Sequence, residues 1–91
     1  MNELANRYLS AFNEIEQLFK ILINARQYIP FSEMVRKLSE HNPHIRRLSV
    51  DLLEFADLRN AIVHSSRNPQ VIAYPTLEVV EEIEAIRENL K

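Results

Sequence analysis

Three residues in the second half of the chain have side chains suited to acid–base and anion-binding chemistry: Arg59, Asn60 and His64. An imidazole exchanges protons near neutral pH, and a guanidinium donates hydrogen bonds to anions. On a helix, Asn60 and His64 are four residues apart and share one face. Arg59 lies about 140° round the helix from His64, but its long side chain reaches toward the same groove. The spacing predicts that a guanidinium, an amide and an imidazole converge beside a seam between helices.

Arg59 also interrupts an apolar pattern, because its position belongs to the buried face of the predicted helix. A half-buried guanidinium is costly unless it is paired. A structural interpretation is that Arg59 pairs with Asp57, Glu54 or an acidic residue of the last helix. His64 would then only interact favourably with the negative end of the helix dipole. From spacing alone, the structural and the functional interpretations both stay open.

The helix that carries these residues is predicted to begin at Asn42 and to run toward His64. Asn42 suits the N-cap and Pro43 the first helical position. A break or kink is expected around Ser49, and residues 65–69 are expected to form the following loop. The predicted buried face of this helix consists of Ile45, Leu48, Leu52, Phe55, Ala56, Arg59, Ile62 and Val63.

Two helices are predicted before it. Apolar residues spaced alternately by four and three predict a first helix over residues 3–28, which Pro30 stops. Ser32 is expected to cap a shorter second helix, which ends before Asn42.

One further helix is predicted at the end of the chain. It runs from Pro75 or Thr76 to Leu90, and residues 71–74 before it are short, apolar and extended. The fold class is therefore all-α, an antiparallel bundle of about four helices with a short extended segment near 71–74. Residues 1–91 make a single domain. An end straight after a helix is also compatible with the N-terminal part of a longer protein.

The length of the first helix predicts a homodimer. A helix of roughly 36–39 Å is longer than a globule of this size needs, and its apolar stripe spans its whole length. Part of that stripe is expected to contact a second copy of the chain through a two-fold interface. The alternative is that the last helix and residues 71–74 cover the stripe completely.

Composition excludes several classes of site. Gly is absent, which excludes the Gly-rich phosphate loops of nucleotide-binding folds, and the absence of Cys excludes disulfides and thiolate sites. His41 and His44 are separated by Asn42-Pro43, a poor geometry for a metal, so neither a metal nor another cofactor is expected. No secretory signal or apolar run of about 18 residues is present, so we expect a cytoplasmic protein with no membrane partner.

Charge is unevenly distributed along the chain. The net charge is −2, with seven Lys/Arg and five Asp/Glu in residues 1–50, and four and eight in residues 51–91. A protein that coats nucleic acid would be strongly basic, so any nucleic-acid contact here must be local. A solvated basic helix face is the alternative. The candidate nucleic-acid-binding residues are Arg36, Lys37, Arg46, Arg47 and Arg67.

The segment Leu58-Arg59-Asn60-Ala61-Ile62-Val63-His64 resembles the signature of the HEPN superfamily: an Arg, a polar residue directly after it, and a His four to six positions after the Arg. The resemblance implies a small helical bundle that dimerises so that both motifs form one cleft. It also implies a metal-independent endoribonuclease. Arg59 would bind the phosphate, His64 would transfer protons, and Asn60 would orient the imidazole or bind the phosphate.

The sequence departs from one branch of that superfamily. HEPN toxins paired with a small nucleotidyltransferase antitoxin often carry a Tyr two positions after the His, where this chain has Ser66. Other HEPN-like domains are non-catalytic modules that dimerise or bind nucleotides or protein partners. Two hypotheses follow: an RNA-binding or RNA-cleaving domain using Arg59, Asn60 and His64, and a non-catalytic dimerisation or ligand-sensing module in which these residues form a structural polar cluster.

Overall fold

A computed structural model describes residues 2–68 and 73–91, and within them the chain forms four α-helices and no strand. The helices are α1 (Glu3–Ile23), α2 (Phe31–Ser39), α3 (Pro43–Arg67) and α4 (Leu77–Leu90). The predicted all-α bundle is confirmed. Among these helices none is long and apolar enough to cross a membrane.

Polar side chains begin three of the helices. The side-chain oxygens of Asn2, Asn42 and Thr76 accept hydrogen bonds from backbone N–H groups in the first turns of α1, α3 and α4, at 2.7, 3.1 and 3.2 Å. The predicted N-cap at Asn42 is confirmed. The predicted cap at Ser32 is wrong, because α2 begins after Pro30 and Ser32 lies inside it.

The first helix ends at Ile23. The apolar stripe predicted that it would continue to Tyr28, and that prediction is wrong. Asn24 adopts the left-handed conformation (φ 59°, ψ 46°), and its N–H and that of Ala25 bond back to carbonyls of the last turn. Asn tolerates this conformation better than most residues, which suits a chain without Gly. As a consequence, Tyr28 lies in the α1–α2 loop.

The third helix extends further than predicted, to Arg67, and is continuous. It continues through the expected break at Ser49, whose hydroxyl donates to the Arg46 carbonyl at 2.8 Å. It also includes Ser65 and Ser66, which were predicted to lie in a loop. Their hydroxyls donate to the carbonyls three residues earlier, at 3.1 and 2.7 Å, so they remain satisfied within the last turns.

The predicted extended segment 71–74 falls mostly outside the described residues, because the structure describes only its last two. Ala73 packs against the core, and Tyr74 is exposed. Neither residue lies in a strand.

Helix α1 lies at the centre, with α4 on one side and the α2–α3 pair on the other. Tyr8 of α1 is fully buried, and its hydroxyl donates to the Phe55 carbonyl of α3 at 2.7 Å. Burial raises the pKa of this hydroxyl well above its ordinary range. The core consists of Ala5, Tyr8, Ala11, Phe12, Ile15, Phe19, Phe31, Met34, Val35, Ile45, Leu52, Phe55, Ile62, Val80, Ile83 and Ile86.

Two ion pairs fasten α4 to α1. Arg7 donates twice to the Glu84 carboxylate, at 2.6 and 3.2 Å, and Arg87 donates to Glu14 at 2.9 Å. The hydrogen bonds from Arg7 lower the pKa of Glu84 below its ordinary value. These contacts orient the packed face of α4 on α1.

Most of the apolar stripe of α1 is buried within the chain as far as Phe19, but Leu4 and Leu18 are only half-buried. Beyond it, Ile21 and Leu22 remain 67% and 52% exposed. Leu18, one turn earlier, lines an open hollow together with Ile15 and Ile21. Apolar surface of α1 is therefore left exposed over its C-terminal part, and the homodimer stays a prediction.

Candidate functional site

A cleft of about 280 Å³ opens where the α1–α2 loop and the start of α2 lie against α3. We call it the Arg59 cleft. Its aromatic side is formed by Phe12 and Phe31 of the core, with Tyr28 at the rim. Its other lining residues are Glu16, Pro30, Ser32, Leu53, Ala56, Asp57, Arg59 and Asn60.

Arg59 is half-buried in this cleft and largely unpaired. One guanidinium nitrogen (Nη1) donates to Oδ1 of Asn60 at 3.1 Å, and the guanidinium carbon lies 5.9 Å from the centre of the Phe12 ring. The Nε atom is buried and has no hydrogen-bond partner. Leaving such a donor unsatisfied costs about 1–3 kcal/mol.

No carboxylate of the described residues forms an ion pair with Arg59. The structural interpretation, in which Asp57, Glu54 or a residue of the last helix neutralises this guanidinium, is therefore wrong for these residues. The Phe12 ring and the Asn60 amide compensate the charge only in part.

Tyr8 positions the helical turn that carries Arg59. The Phe55 carbonyl, which accepts the Tyr8 hydroxyl, is also four residues before Arg59 and thus accepts its backbone N–H within the helix. The Tyr8 and Phe55 rings pack edge to face, with centroids 6.3 Å apart. The backbone at Arg59 is therefore anchored to α1, and its side chain extends from a fixed point.

The other two motif residues are exposed on α3. Asn60 lines the cleft, and because its oxygen accepts from Arg59, its amide N–H groups remain available. His64 lies one turn further along α3, about 6 Å along the helix axis, and is not among the residues that line the cleft. The structure thus brings Arg59 and Asn60 together and leaves His64 on the adjoining surface.

Four further polar residues line the cleft: Glu16, Tyr28 and Ser32, which were not predicted as cleft residues, and Asp57, which was predicted to lie near Arg59. None of their side chains makes a hydrogen bond or an ion pair with the described residues, and Tyr28 is 79% exposed. No local signal marked Glu16, Tyr28 and Ser32, since they come together only through the packing of α1, its following loop and α2 against α3.

The predicted nucleic-acid-binding residues play different roles. Arg46 donates to the carbonyls of Ser39 and Glu40 at 2.9 and 3.2 Å, so it caps the end of α2. Arg36 contacts Glu33 weakly at 3.5 Å. The exposed cations Lys37, Arg47 and Arg67 form no ion pair with the part of the chain that is described.

No group of three His, Asp or Glu side chains converges as a metal site within residues 2–68 and 73–91. No family model, curated protein or solved structure matches the chain. The HEPN resemblance therefore stays a prediction that rests on Arg59, Asn60 and His64.

Proposed function

We propose that this chain is an RNA-binding domain that holds a phosphate at Arg59 and cleaves the adjacent bond without a metal ion. The observation that supports this most is the state of Arg59. Its guanidinium lines a cleft, has no carboxylate partner and uses one of its several N–H donors. A phosphate would supply the charge and the acceptors that the protein does not.

The reaction that suits these side chains is internal transesterification. The 2′-hydroxyl attacks the neighbouring phosphorus, the bond from phosphorus to the 5′-oxygen breaks, and a 2′,3′-cyclic phosphate remains. His64 accepts the proton of the 2′-hydroxyl, and the 5′-oxygen receives a proton from a second imidazole. Arg59 stabilises the charge on the phosphate oxygens, and the Asn60 amide donates to the same group.

A dimer supplies the second imidazole, the partner subunit's His64. The exposure of His64 on α3, next to the cleft but outside its lining, supports an interface beside the end of α3. Two copies related by a two-fold axis there would place both motifs along one groove. This arrangement uses α3 more than the stripe of α1, which is mostly buried within the chain.

The second candidate function is a non-catalytic module that dimerises or senses a ligand. It is favoured by the position of His64 outside the cleft and by the bond that already joins Arg59 to Asn60. In this case the cleft binds a phosphate-bearing ligand, and no bond is broken.

The test is cleavage of a mixed-sequence, end-labelled RNA in excess chelator. We expect cutting by the wild-type protein and a loss of at least about 100-fold in Arg59→Ala and His64→Ala. His41→Ala is the matched control for an exposed histidine, and Lys20→Ala for the loss of one positive charge. Circular dichroism and sedimentation would establish that each variant keeps its fold and oligomeric state.

The outcomes separate the two candidates. RNA binding that depends on Arg59 without any cutting would favour the non-catalytic module. Cutting that persists in both motif variants, or that the chelator removes, would contradict the ribonuclease.

A further inference from the structure

The Arg59 cleft is one end of a longer groove. A second, more open hollow of about 590 Å³ adjoins it, and both are lined by Pro30, Ser32 and Leu53. The far end of this second hollow carries Arg36 of α2, whose side chain is 72% exposed and makes only a long contact, at 3.5 Å, with Glu33 of the same hollow. The groove therefore has a guanidinium toward each end, with the apolar surface of Pro30 and Leu53 and the hydroxyl of Ser32 between them. Phosphates and bases alternate in a similar way along a single nucleic-acid strand.

Aromatic and apolar surface along this groove is exposed without a partner. Tyr28 at its rim is 79% exposed and makes no ring contact, and Leu53 between the hollows is 40% exposed. Unpaired bases stack on such rings in single-strand-binding proteins, and losing one stack weakens binding by roughly 5- to 100-fold.

Two carboxylates of the cleft have the chemistry to distinguish one base from another. Glu16, half-buried on the α1 side, and Asp57 on α3 both line the cleft and have no partner among the described residues. A carboxylate only accepts hydrogen bonds, so it repels a phosphate and suits the amino group of a base. Cytosine presents such an amino group, whereas uracil presents a carbonyl oxygen at the same position, which a carboxylate repels.

We propose that the groove binds single-stranded RNA with a cytosine-type base in the Arg59 cleft. The base stacks on Tyr28 and its amino group donates to Glu16, while Arg59 holds the phosphate and the strand continues over Leu53 toward Arg36. This assignment rests on the proposed RNA-binding function and adds its base preference and strand path.

The experiment measures fluorescence anisotropy with two labelled eight-nucleotide strands, all-cytosine and all-uracil. Both carry 2′-O-methyl groups, which block the attacking hydroxyl and prevent cleavage. We expect the cytosine strand to bind about tenfold more tightly than the uracil strand. Tyr28→Ala should weaken cytosine-strand binding by about tenfold, whereas the exposed-tyrosine control Tyr74→Ala should not.

Glu16→Gln tests the base contact separately. The new amide can donate to the uracil carbonyl, so the preference for cytosine should disappear. Glu78→Gln on α4 is the control for removing one negative charge from the surface, and it should keep that preference.

Equal affinity for the two strands, or no effect of Tyr28→Ala, would overturn the base assignment. The proposed function would survive that result if Arg59→Ala still weakened both strands, and it would fail if Arg59→Ala had no effect. Competition by cytidine monophosphate at the same concentration as the cytosine strand would overturn the strand path toward Arg36. No binding of either strand would overturn both proposals.

Discussion

The arginines on the two sides of α1 have different partners. On the α4 side, Arg7 and Arg87 donate to the carboxylates of Glu84 and Glu14 across the helix interface. On the α3 side, Arg59 is half-buried, donates only to the amide of its neighbour Asn60, and leaves Nε without a partner. An arginine held by a carboxylate fixes helix packing, and its charge is no longer available to an anion. Arg59 remains available at a cost in stability.

The carboxylates beside Arg7, Arg87 and Arg59 follow the same division, whereas Glu33 in the adjoining hollow contacts Arg36 at 3.5 Å. Glu14 and Glu84 on the α4 side are paired, whereas Glu16 and Asp57 in the cleft are not, although Arg59 lines the same cleft. Opposite charges that share a cleft without pairing leave both kinds of group free to contact a ligand. This difference supports the proposal that the α3 side of α1 is the side that binds a ligand.

The largest expected effect comes from replacing the unpaired guanidinium. Arg59→Met keeps the length of the side chain and removes its charge, so RNA affinity should fall by about 10- to 100-fold. The same change should raise the free energy of unfolding by about 1 kcal/mol, because the relief of the unsatisfied Nε exceeds the loss of the contact with the Phe12 ring. Anisotropy and urea unfolding measure the two effects. A variant that loses stability and binds RNA normally would contradict the comparison.

The next largest effect concerns the anchor of the α3 turn. Tyr8→Phe removes the buried hydrogen bond to the Phe55 carbonyl, which should lower the free energy of unfolding by about 1 kcal/mol. Urea denaturation measures the loss, with Tyr74→Phe as the exposed control. A change in Tyr8→Phe no larger than in the control would show that this bond does not hold α3 on α1.

A smaller effect follows from removing negative charge at the cleft. Asp57→Asn eliminates a carboxylate that repels the phosphate, so RNA affinity should rise about two- to fivefold at low salt, and less as the ionic strength increases. Glu78→Asn on α4 serves as the distant control. Equal gains in both variants would mean that only net charge matters.

The smallest effects are in the pH dependence of stability, which should differ between the two sides. The pKa of Glu84 in the folded protein is below its value in the unfolded chain (about 4.3 for a free glutamate). Its contribution to the free energy of unfolding is therefore complete above the unfolded pKa and is lost as pH falls through the folded pKa. Glu84→Gln should therefore lose less stability in acid than the wild type. Unfolding midpoints between about pH 6 and pH 3 measure this, and an unchanged acid dependence would contradict it.

Tyr8, on the side of α1 that faces α3, should give a pH dependence of stability of the opposite sign. Its folded pKa is raised, so its contribution is complete below the unfolded value (about 10 for a free tyrosine) and is lost as pH rises toward the folded one. Tyr8→Phe should therefore lose less stability than the wild type in alkali. Identical alkaline profiles would contradict this.

Local signals made part of this structure predictable. The N-cap at Asn42 follows from a short polar side chain before Pro43, and the position of Arg59 follows from a break in an apolar pattern. The end of α1 did not follow, because Asn24 adopts a left-handed conformation inside a stripe that continues as an apolar pattern to Ala25. Tyr28 lines the cleft only because α1 ends before it. A helix predicted to continue to Tyr28 therefore gave no indication of this role.

The hydrogen-bond and ion-pair partners of Arg59 could not be predicted from the sequence either. Spacing along α3 placed Asp57 and Glu54 within reach, yet neither pairs with the guanidinium, since pairing depends on how α1 and α3 pack. The same applies to His64, whose position relative to the cleft is set by the helix rotation that buries Phe55 and Ile62.

The most direct test of the central claim observes the arginine side chains themselves. The Nε–H signals of Arg7, Arg59 and Arg87 would be assigned by NMR from single Arg→Lys variants and followed while a 2′-O-methyl RNA strand is added. Our expectation is a large, saturable shift of the Arg59 signal and little change at Arg7 and Arg87, which are already bound to carboxylates. A signal from Arg59 that stays unchanged while RNA binds would contradict it.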